Sequence, residues 1–148
     1  MIDKRFIGHA MPAFEVDVEK GRLRFFAKAV GLSDPVYVDE AAAQAAGHAS
    51  LLVPPTFFFC LEMESGNVAE IRTLLNLSYK NLLHGEQAFT YHRLAYGGDR
   101  LRFEQRIADI YDKKGGELEF VMRSTIVTNQ RQQLVAELKN VIVQRNPK

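Results

Sequence analysis

The segment from Leu51 to Glu64, LLVPPTFFFCLEME, constrains the fold more than any other part of this sequence. Two prolines precede its apolar run and a glycine follows it, as is typical of the first turn and the end of a helix. The pattern predicts a short helix from Pro55 to Ser65. Three consecutive phenylalanines cover most of its circumference, and a helix that is apolar on nearly every side is a buried helix.

Two carboxylates lie near the carboxyl end of this predicted helix. The helix dipole disfavours anions there, so we expect Glu62 and Glu64 to reach solvent or a partner chain. The helix is too short to span a bilayer, so its apolar surface cannot be buried in a membrane. Other parts of the chain must therefore surround it.

The second half of the sequence supplies strands that can do so. Arg100–Tyr111 alternates apolar and charged residues, and the Lys-Gly-Gly sequence at 114–116 predicts a hairpin. The last strand changes its apolar parity, so we expect a bulge or bend near Lys139 and Asn140. Between the hairpin and the last strand lies another predicted strand. Its apolar residues at even-numbered positions are expected to face the core: Leu118, Phe120, Met122 and Ile126.

Shorter elements precede and follow the central helix. Alternation over Phe14–Val18 predicts a strand, and a weak strand is expected over Ala88–Leu94. Asp39 is expected to cap an alanine-rich helix, Glu40–Ala46, that ends at Gly47. Antiparallel strands around one helix predict an α+β hot-dog fold, with residues 1–148 forming a single domain.

Composition narrows the function classes. The chain has 148 residues, 47% of them hydrophobic, and a formal net charge of +1, so no basic field indicates a nucleic acid partner. The single cysteine, Cys60, excludes an internal disulfide and a cysteine-based metal cluster, and the four histidines lack metal-site spacing. No metal, cofactor or membrane partner is expected. The charged N-terminal residues lack the apolar region of a signal peptide, so we expect a cytoplasmic protein.

Three stretches are distinctive: GLSDPVYVDE at 31–40, VPPTFFF at 53–59, and LHGEQ at 83–87 with the YHR that follows at 91–93. They resemble the MaoC-like dehydratases, and in particular their N-terminal-half, or fungal fatty-acid-synthase-like, dehydratase domains. The resemblance covers nearly the whole chain and implies a hot-dog fold. It also implies (R)-specific hydration of enoyl thioesters, or dehydration of 3-hydroxyacyl thioesters, carried on coenzyme A (acyl-CoA) or acyl carrier protein (acyl-ACP).

The resemblance locates the catalytic positions and shows a departure there. Catalytic relatives carry an Asp and a His in a Gly-Asp-x-Asn-Pro-x-His loop, where they activate water. Those positions fall on Leu32 and Tyr37, and neither is an effective base near neutral pH. A backbone N–H at the start of the central helix would polarise the thioester carbonyl; Pro55 has none, which leaves Thr56. The resemblance therefore implies acyl-thioester binding more directly than catalysis.

The best local acid–base pair is His84 with Glu86, because a carboxylate can orient an imidazole that titrates near neutral pH. If this stretch is extended, the two side chains point to the same face. The alternative is that His84 satisfies backbone groups while Glu86 and Gln87 brace the neighbouring strand. Tyr37 is the third catalytic candidate, and its alternative role is a turn contact.

The candidate substrate-binding residues are Thr56, Gly85, Gln87 and Phe58, whose ring could line an acyl tunnel. We expect His48 and His92 at the surface or at an interface. The side chains of Arg93, Arg100 and Arg102 could pair with coenzyme A phosphates, or simply form a solvated strand face.

Four functions follow as alternatives. The chain is a subunit of an (R)-specific hydratase or dehydratase whose Asp/His pair belongs to a partner, or a self-sufficient lyase that uses His84 and Glu86. It could also be a hot-dog thioesterase or a non-catalytic acyl-thioester-binding subunit. Because open strand edges are usually covered, we expect either a homodimer or higher homo-oligomer, or a heterodimer with a catalytic MaoC-type subunit, with sheets continuing edge to edge.

Overall fold

A computed structural model describes residues 1–146 and contains a five-stranded antiparallel sheet with four helices. The strands are β1 (Phe14–Asp17), β2 (Leu82–Tyr91), β3 (Arg100–Lys113), β4 (Leu118–Thr128) and β5 (Leu134–Arg145). The helices are α1 (Lys20–Ala29), α2 (Glu40–Ala45), α3 (Phe57–Glu62) and α4 (Asn67–Leu74). The sheet order is β1-β3-β4-β5-β2, which leaves β1 and β2 at the edges. The α+β hot-dog prediction is confirmed.

The predicted central helix exists as α3, and it is shorter than predicted at both ends. Leu61 is fully buried, and Phe57 and Phe58 are each 3% exposed. They pack in the main core cluster with apolar side chains of the sheet, including Phe103 and Val127. The sheet therefore buries this helix as the apolar run predicts.

Glu62 corrects one of the predictions. It is completely buried instead of reaching solvent. Its Oε1 accepts hydrogen bonds from Nε2 of Gln105, at 2.7 Å, and from the hydroxyl of Thr125. Asn67 extends this network by donating from Nδ2 to Oε1 of Gln105 at 2.7 Å. Partners on the sheet thus compensate Oε1 of a carboxylate that the helix dipole disfavours, whereas its Oε2 is buried without a hydrogen-bond partner among the described residues.

The buried face of β4 is the opposite of the predicted one. Val121, Arg123, Thr125 and Val127 are buried, whereas Ile126 is 44% exposed. Both parities of this strand contain apolar residues, so apolar content alone could not choose between them. The polar residues of the buried parity are tolerated because Thr125 and Arg123 have buried hydrogen-bond partners.

The predicted bulge near Lys139 and Asn140 is also wrong. Strand β5 keeps regular pairing with β4 through this region, with Ser124 opposite Lys139. The register shifts between His84 and Glu86 in β2, which pairs with β5, and between Ile107 and Asp109 in β3, which pairs with β4. Strand β5 has an extra residue of its own at Val135, opposite Val127 and Thr128 of β4 and away from Lys139 and Asn140.

Local signals elsewhere are confirmed. Asp39 caps α2, and its Oδ1 accepts from the backbone N–H groups of Ala41 and Ala42 at 2.9 and 3.2 Å. Gly47 follows α2 with a φ of 90°, a conformation that glycine adopts without strain. The weak strand predicted at Ala88–Leu94 begins earlier, at Leu82. None of the helices in the described residues is long and apolar enough to cross a membrane.

Candidate functional site

An apolar groove with a volume of about 340 Å³ opens beside the start of α3. Three parts of the chain line it: the turn before α2, the segment leading into α3, and the end of β2 with the residues that follow it. The lining residues are Tyr37, Leu52, Val53, Pro55, Phe58, Tyr91, His92, Arg93, Leu94 and Ala95. None of these is an aspartate or a glutamate.

Aromatic contacts and one hydrogen bond fix the groove wall. The hydroxyl of Tyr91 donates to the carbonyl oxygen of Pro55 at 2.7 Å, which ties the end of β2 to the start of α3. The Tyr91 ring stacks on Phe89 and lies 5.9 Å from the ring of Phe58. Burial raises the pKa of Tyr91, so its hydroxyl stays protonated and keeps donating at neutral pH.

Tyr37 and Phe58, both predicted from the sequence, meet in this groove. Tyr37 ends a 3₁₀ turn, Pro35–Tyr37, whose first backbone donor is capped by the carboxylate of Asp34 at 3.1 Å. The backbone N–H of Leu52 donates to the carbonyl of Val36 at 3.1 Å and holds the turn against the groove. The position to which the resemblance assigns the catalytic His is therefore part of the groove lining and carries a phenol.

Two further predicted positions lie outside the groove lining. Leu32, to which the resemblance assigns the position of the catalytic Asp, is half-buried. Thr56 is exposed at the N-cap of α3, immediately after the groove residue Pro55. The roles assigned to both positions remain proposals.

His84 and Glu86 do not share a face, which corrects the same-face expectation. Nε2 of His84 lies 3.1 Å from Nδ2 of the buried Asn140, and its ring is 5.4 Å from that of Phe59 in α3. The Glu86 carboxylate instead pairs with Nζ of Lys139 at 3.0 Å. Lys139 and Asn140 are adjacent in β5 and point to opposite faces of the sheet. The bulge in β2 adds one residue and so reverses the alternation between His84 and Glu86.

Gly85 is the residue that permits this bulge. A Cβ atom at this position would lie 2.8 Å from Cγ2 of Val143 and 3.2 Å from the carbonyl oxygen of Val141. A close approach of two backbones is a common reason for glycine inside a strand. Gly85 therefore has a structural role at the edge of the sheet, and Gln87 braces β5 because its Oε1 accepts from Nδ2 of Asn140 at 3.0 Å.

Arg123 is a functional candidate that the sequence reasoning missed. It is only 4% exposed, and its guanidinium group donates to Oδ1 of Asn140. Burial lowers the pKa of Arg123, and the negative charge of Glu62 opposes this shift. The sequence does place Arg123 on the same face of β4 as Val121 and Val127, which is the feature that could have identified it. Together with Asn140, Arg123 connects the core to His84 at the sheet edge.

The remaining candidates are mostly paired within the chain. His92 contacts Oε2 of Glu137 through Nε2 at 2.8 Å. The guanidinium groups of Arg100 and Arg102 pair with Asp17 and Glu104 at 2.7 and 3.1 Å, so carboxylates of the chain already neutralise them. Arg93 lines the groove and forms no ion pair among residues 1–146.

His48 lies near Tyr96, with the ring centres 6.1 Å apart. In the part of the chain that the structure describes, no three His, Cys, Asp or Glu side chains are grouped so that they could hold a metal ion. The candidate site is therefore an apolar groove with few charged groups at its edge.

Comparison with known proteins identifies the family. The sequence profile of the FAS1-like dehydratase domain region matches residues 5–138. The chain belongs to the FAS1-like dehydratase family. Among its relatives, a UPF0336 protein of Streptomyces griseus is 38% identical over 120 residues, which cover 79% of each chain. A UPF0336 protein of Saccharopolyspora erythraea is 36% identical over 130 residues, covering 86% of this chain and 81% of the relative.

Solved structures share the fold of this FAS1-like dehydratase chain. The HadBC (3R-hydroxyacyl-ACP dehydratase) complex of Mycobacterium tuberculosis superposes with a TM-score of 0.79 at 24% identity, covering 93% of this chain and 96% of that one. A MaoC-like dehydratase superposes with a TM-score of 0.84 at 23% identity, covering 95% of this chain and 42% of that one. The ChsH1–ChsH2 complex of Mycobacterium tuberculosis superposes with a TM-score of 0.74 at 21% identity, covering 94% of this chain and 90% of that one. The resemblance to MaoC-like dehydratases is confirmed.

Proposed function

We propose that this chain is a cytoplasmic subunit of an (R)-specific enoyl-thioester hydratase or 3-hydroxyacyl-thioester dehydratase. It binds the acyl thioester, and a partner subunit supplies the Asp/His pair that transfers protons. The observation that carries this proposal is the apolar groove that contains Tyr37 where catalytic relatives carry His.

The lining of the groove favours an acyl chain as its ligand. Leu52, Val53, Phe58, Leu94 and Ala95 offer apolar surface, which favours burial of methylene groups at about 0.8 kcal/mol each. Arg93 provides a cation at the edge, where the phosphates of a coenzyme A or phosphopantetheine arm could lie. An apolar groove with a few polar groups at its rim is typical of ligand sites.

The chain's own groups support binding better than proton transfer. A self-sufficient lyase based on His84 and Glu86 would need both side chains at one substrate atom, and they lie on opposite faces of β2. Nor does the groove lining favour a thioesterase, because it contains no carboxylate. Glu62 is buried among Gln105 and Thr125, and Glu64 pairs with Arg22.

Strand β2 is the surface that we propose for the partner subunit. It lies at an edge of the sheet, and Leu83 is 49% exposed there. Open edges of this length are usually covered in soluble proteins. The names of two structural neighbours, HadBC and ChsH1–ChsH2, describe complexes of two chains. We therefore propose that a catalytic MaoC-type chain, or a second copy of this one, pairs along β2.

A binding experiment tests the groove assignment. Leu94→Glu adds a carboxylate to the groove wall at a position that is 57% exposed, so the substitution leaves the core intact. Ile126→Glu, at a 44% exposed position of β4 outside the groove lining, is the matched control. Titration calorimetry with crotonyl-CoA and octenoyl-CoA should show an affinity loss of about tenfold or more for Leu94→Glu only, because 1.4 kcal/mol corresponds to tenfold. Equal affinities in both variants would contradict the assignment.

A further inference from the structure

The charge distribution of α1 differs from that of the rest of the chain. Its sequence, KGRLRFFAKA, contains four basic residues and no acidic one, although the whole chain has nearly balanced charge. Lys20 and Arg22 are neutralised by Glu40 and Glu64. Arg24 and Lys28 form no ion pair within residues 1–146. The carboxylate of Glu40, whose pKa is lowered chiefly by its hydrogen bond from Lys20, also interacts with the charge of Arg24.

An exposed aromatic ring lies next to these cations on α1. Phe25 is 77% exposed, the largest exposed fraction of any aromatic side chain in the described residues. Arg24 and Lys28 are one helical turn apart, and Phe25 neighbours Lys28 because it lies three residues before it. The helix dipole accounts for a cation such as Lys28 in the last turn, but it does not account for an exposed ring beside it. We refer to Arg24, Phe25 and Lys28 as the α1 surface.

A hydrogen bond joins the α1 surface to the segment that forms one wall of the groove. Nε of Arg24 donates to the carbonyl oxygen of Val38 at 2.9 Å. Val38 directly follows Tyr37, which lines the groove. A protein that docks at Arg24 therefore lies next to the segment that continues into the groove wall.

We propose that the α1 surface docks an acidic carrier protein that delivers the acyl thioester on its phosphopantetheine arm. This inference rests on the proposed function and names the carrier: a protein with an acidic face instead of free coenzyme A. Opposite charges accelerate encounter and fix orientation, while an aromatic residue at the centre of a small interface contributes contact area. A small surface next to the groove fits a carrier that makes brief contact during each delivery.

The test compares one acyl group on two carriers. The probes are crotonyl-CoA and a purified bacterial acyl carrier protein charged with crotonyl-phosphopantetheine, which share the same arm. Phe25→Ala/Lys28→Glu changes two exposed side chains without touching the core. Tyr79→Ala/Lys80→Glu removes an aromatic ring and reverses a lysine charge at another exposed site, so it matches the change in composition and net charge.

We expect Phe25→Ala/Lys28→Glu to weaken binding of the charged carrier protein at least tenfold and to leave crotonyl-CoA within twofold. The Tyr79→Ala/Lys80→Glu control should retain both affinities. The difference should shrink as salt is raised from 0.05 to about 1 M, because the Debye length falls to about 3 Å. Unchanged carrier binding, or an equal loss in the control, would overturn the proposal.

Three further outcomes distinguish carrier docking on the α1 surface from the other possible uses of that surface. Loss of self-association or of partner binding in the Phe25→Ala/Lys28→Glu variant would assign the α1 surface to a subunit interface and overturn the proposal. Loss of binding to anionic phospholipid vesicles, with carrier binding intact, would assign it to a membrane and overturn it as well. If wild-type protein bound the uncharged carrier through α1 but bound no crotonyl-CoA, the docking proposal would stand and the proposed function would fail.

Discussion

Arg123 donates two hydrogen bonds to Oδ1 of Asn140, from Nε at 3.1 Å and from Nη2 at 2.6 Å. This arrangement fixes the Asn140 amide, so its Nδ2 faces Gln87 and His84. Nε2 of His84 lies 3.1 Å from this Nδ2 and 3.2 Å from the carbonyl oxygen of Glu86. Asn140 therefore links the exposed His84 ring to the buried Arg123.

Replacing Asn140 tests this relationship. Asn140→Leu leaves the buried guanidinium of Arg123 without its acceptor, and an unsatisfied buried charged donor costs about 2–4 kcal/mol. We expect a loss of that size in the free energy of unfolding, measured by urea denaturation. The double variant Arg123→Met/Asn140→Leu removes both partners and should lose less than the single one. A single-variant loss below about 0.5 kcal/mol would contradict the role of this pair.

The glycine in the β2 bulge gives a second prediction. Gly85→Ala forces a Cβ against Val143 and the Val141 backbone, and overpacking of this kind costs about 1–3 kcal/mol. Gly21→Ala is the matched control, because a Cβ there meets nothing within 4 Å. Gly21 is the second residue of α1, so that control should leave the stability unchanged or raise it by less than the roughly 0.5–1 kcal/mol that applies in the middle of a helix. If Gly85→Ala and Gly21→Ala changed the free energy of unfolding in the same direction, the result would argue against the bulge geometry.

The central helix gives a third prediction. Leu61→Ala and Phe58→Ala should each destabilise the protein by about 2–5 kcal/mol, because each removes a buried side chain from the core. Met63→Ala, at a 44% exposed position just after α3, should change stability by less than about 0.5 kcal/mol. Denaturant titration measures all three. A small effect at Leu61 would mean that α3 does not form the centre of the fold.

Cys60 gives a fourth prediction, which concerns pH. Burial raises the pKa of this thiol, with Arg22 opposing the shift and Glu64 adding to it. A raised pKa leaves less thiolate at neutral pH, and the thiolate is the reactive form. Because Cys60 is the sole cysteine, its alkylation by iodoacetamide can be followed directly. The alkylation rate at pH 7.5 should be lower than that of a free cysteine peptide. It should increase only when the pH exceeds the usual pKa range of cysteine. A rate faster than that of the peptide would contradict the raised pKa.

Local sequence signals predicted the parts of the fold that depend on neighbouring residues. The cap at Asp39, the stop at Gly47 and the apolar run of α3 each have a mechanism that acts within a few positions. The alternation of the later strands predicted their arrangement around α3, and the resemblance to MaoC-like dehydratases implied the same fold. These features were therefore accessible before the structure was known.

Long-range pairing determined what the sequence could not show. Glu62 is buried because Gln105 and Thr125, distant in sequence, supply its partners. The faces of His84 and Glu86 depend on a bulge that is defined by the register of β2 against β5. Tyr37 and Phe58 were named from the sequence, but the groove also needs Tyr91 and Leu94, which only the folded chain brings beside them.

The rate of crotonyl-CoA hydration by the purified chain, alone and mixed with a catalytic MaoC-type partner, tests the central claim most directly. General acid–base catalysis contributes about 10²–10⁴-fold, so a chain with Leu32 and Tyr37 at the dyad positions should be slower alone by about that factor than in the mixture. Its groove should still bind the thioester, and Leu94→Glu should lower the rate of the mixture. Hydration by the chain alone at about 10 s⁻¹, typical of an enzyme, would contradict partner-supplied catalysis.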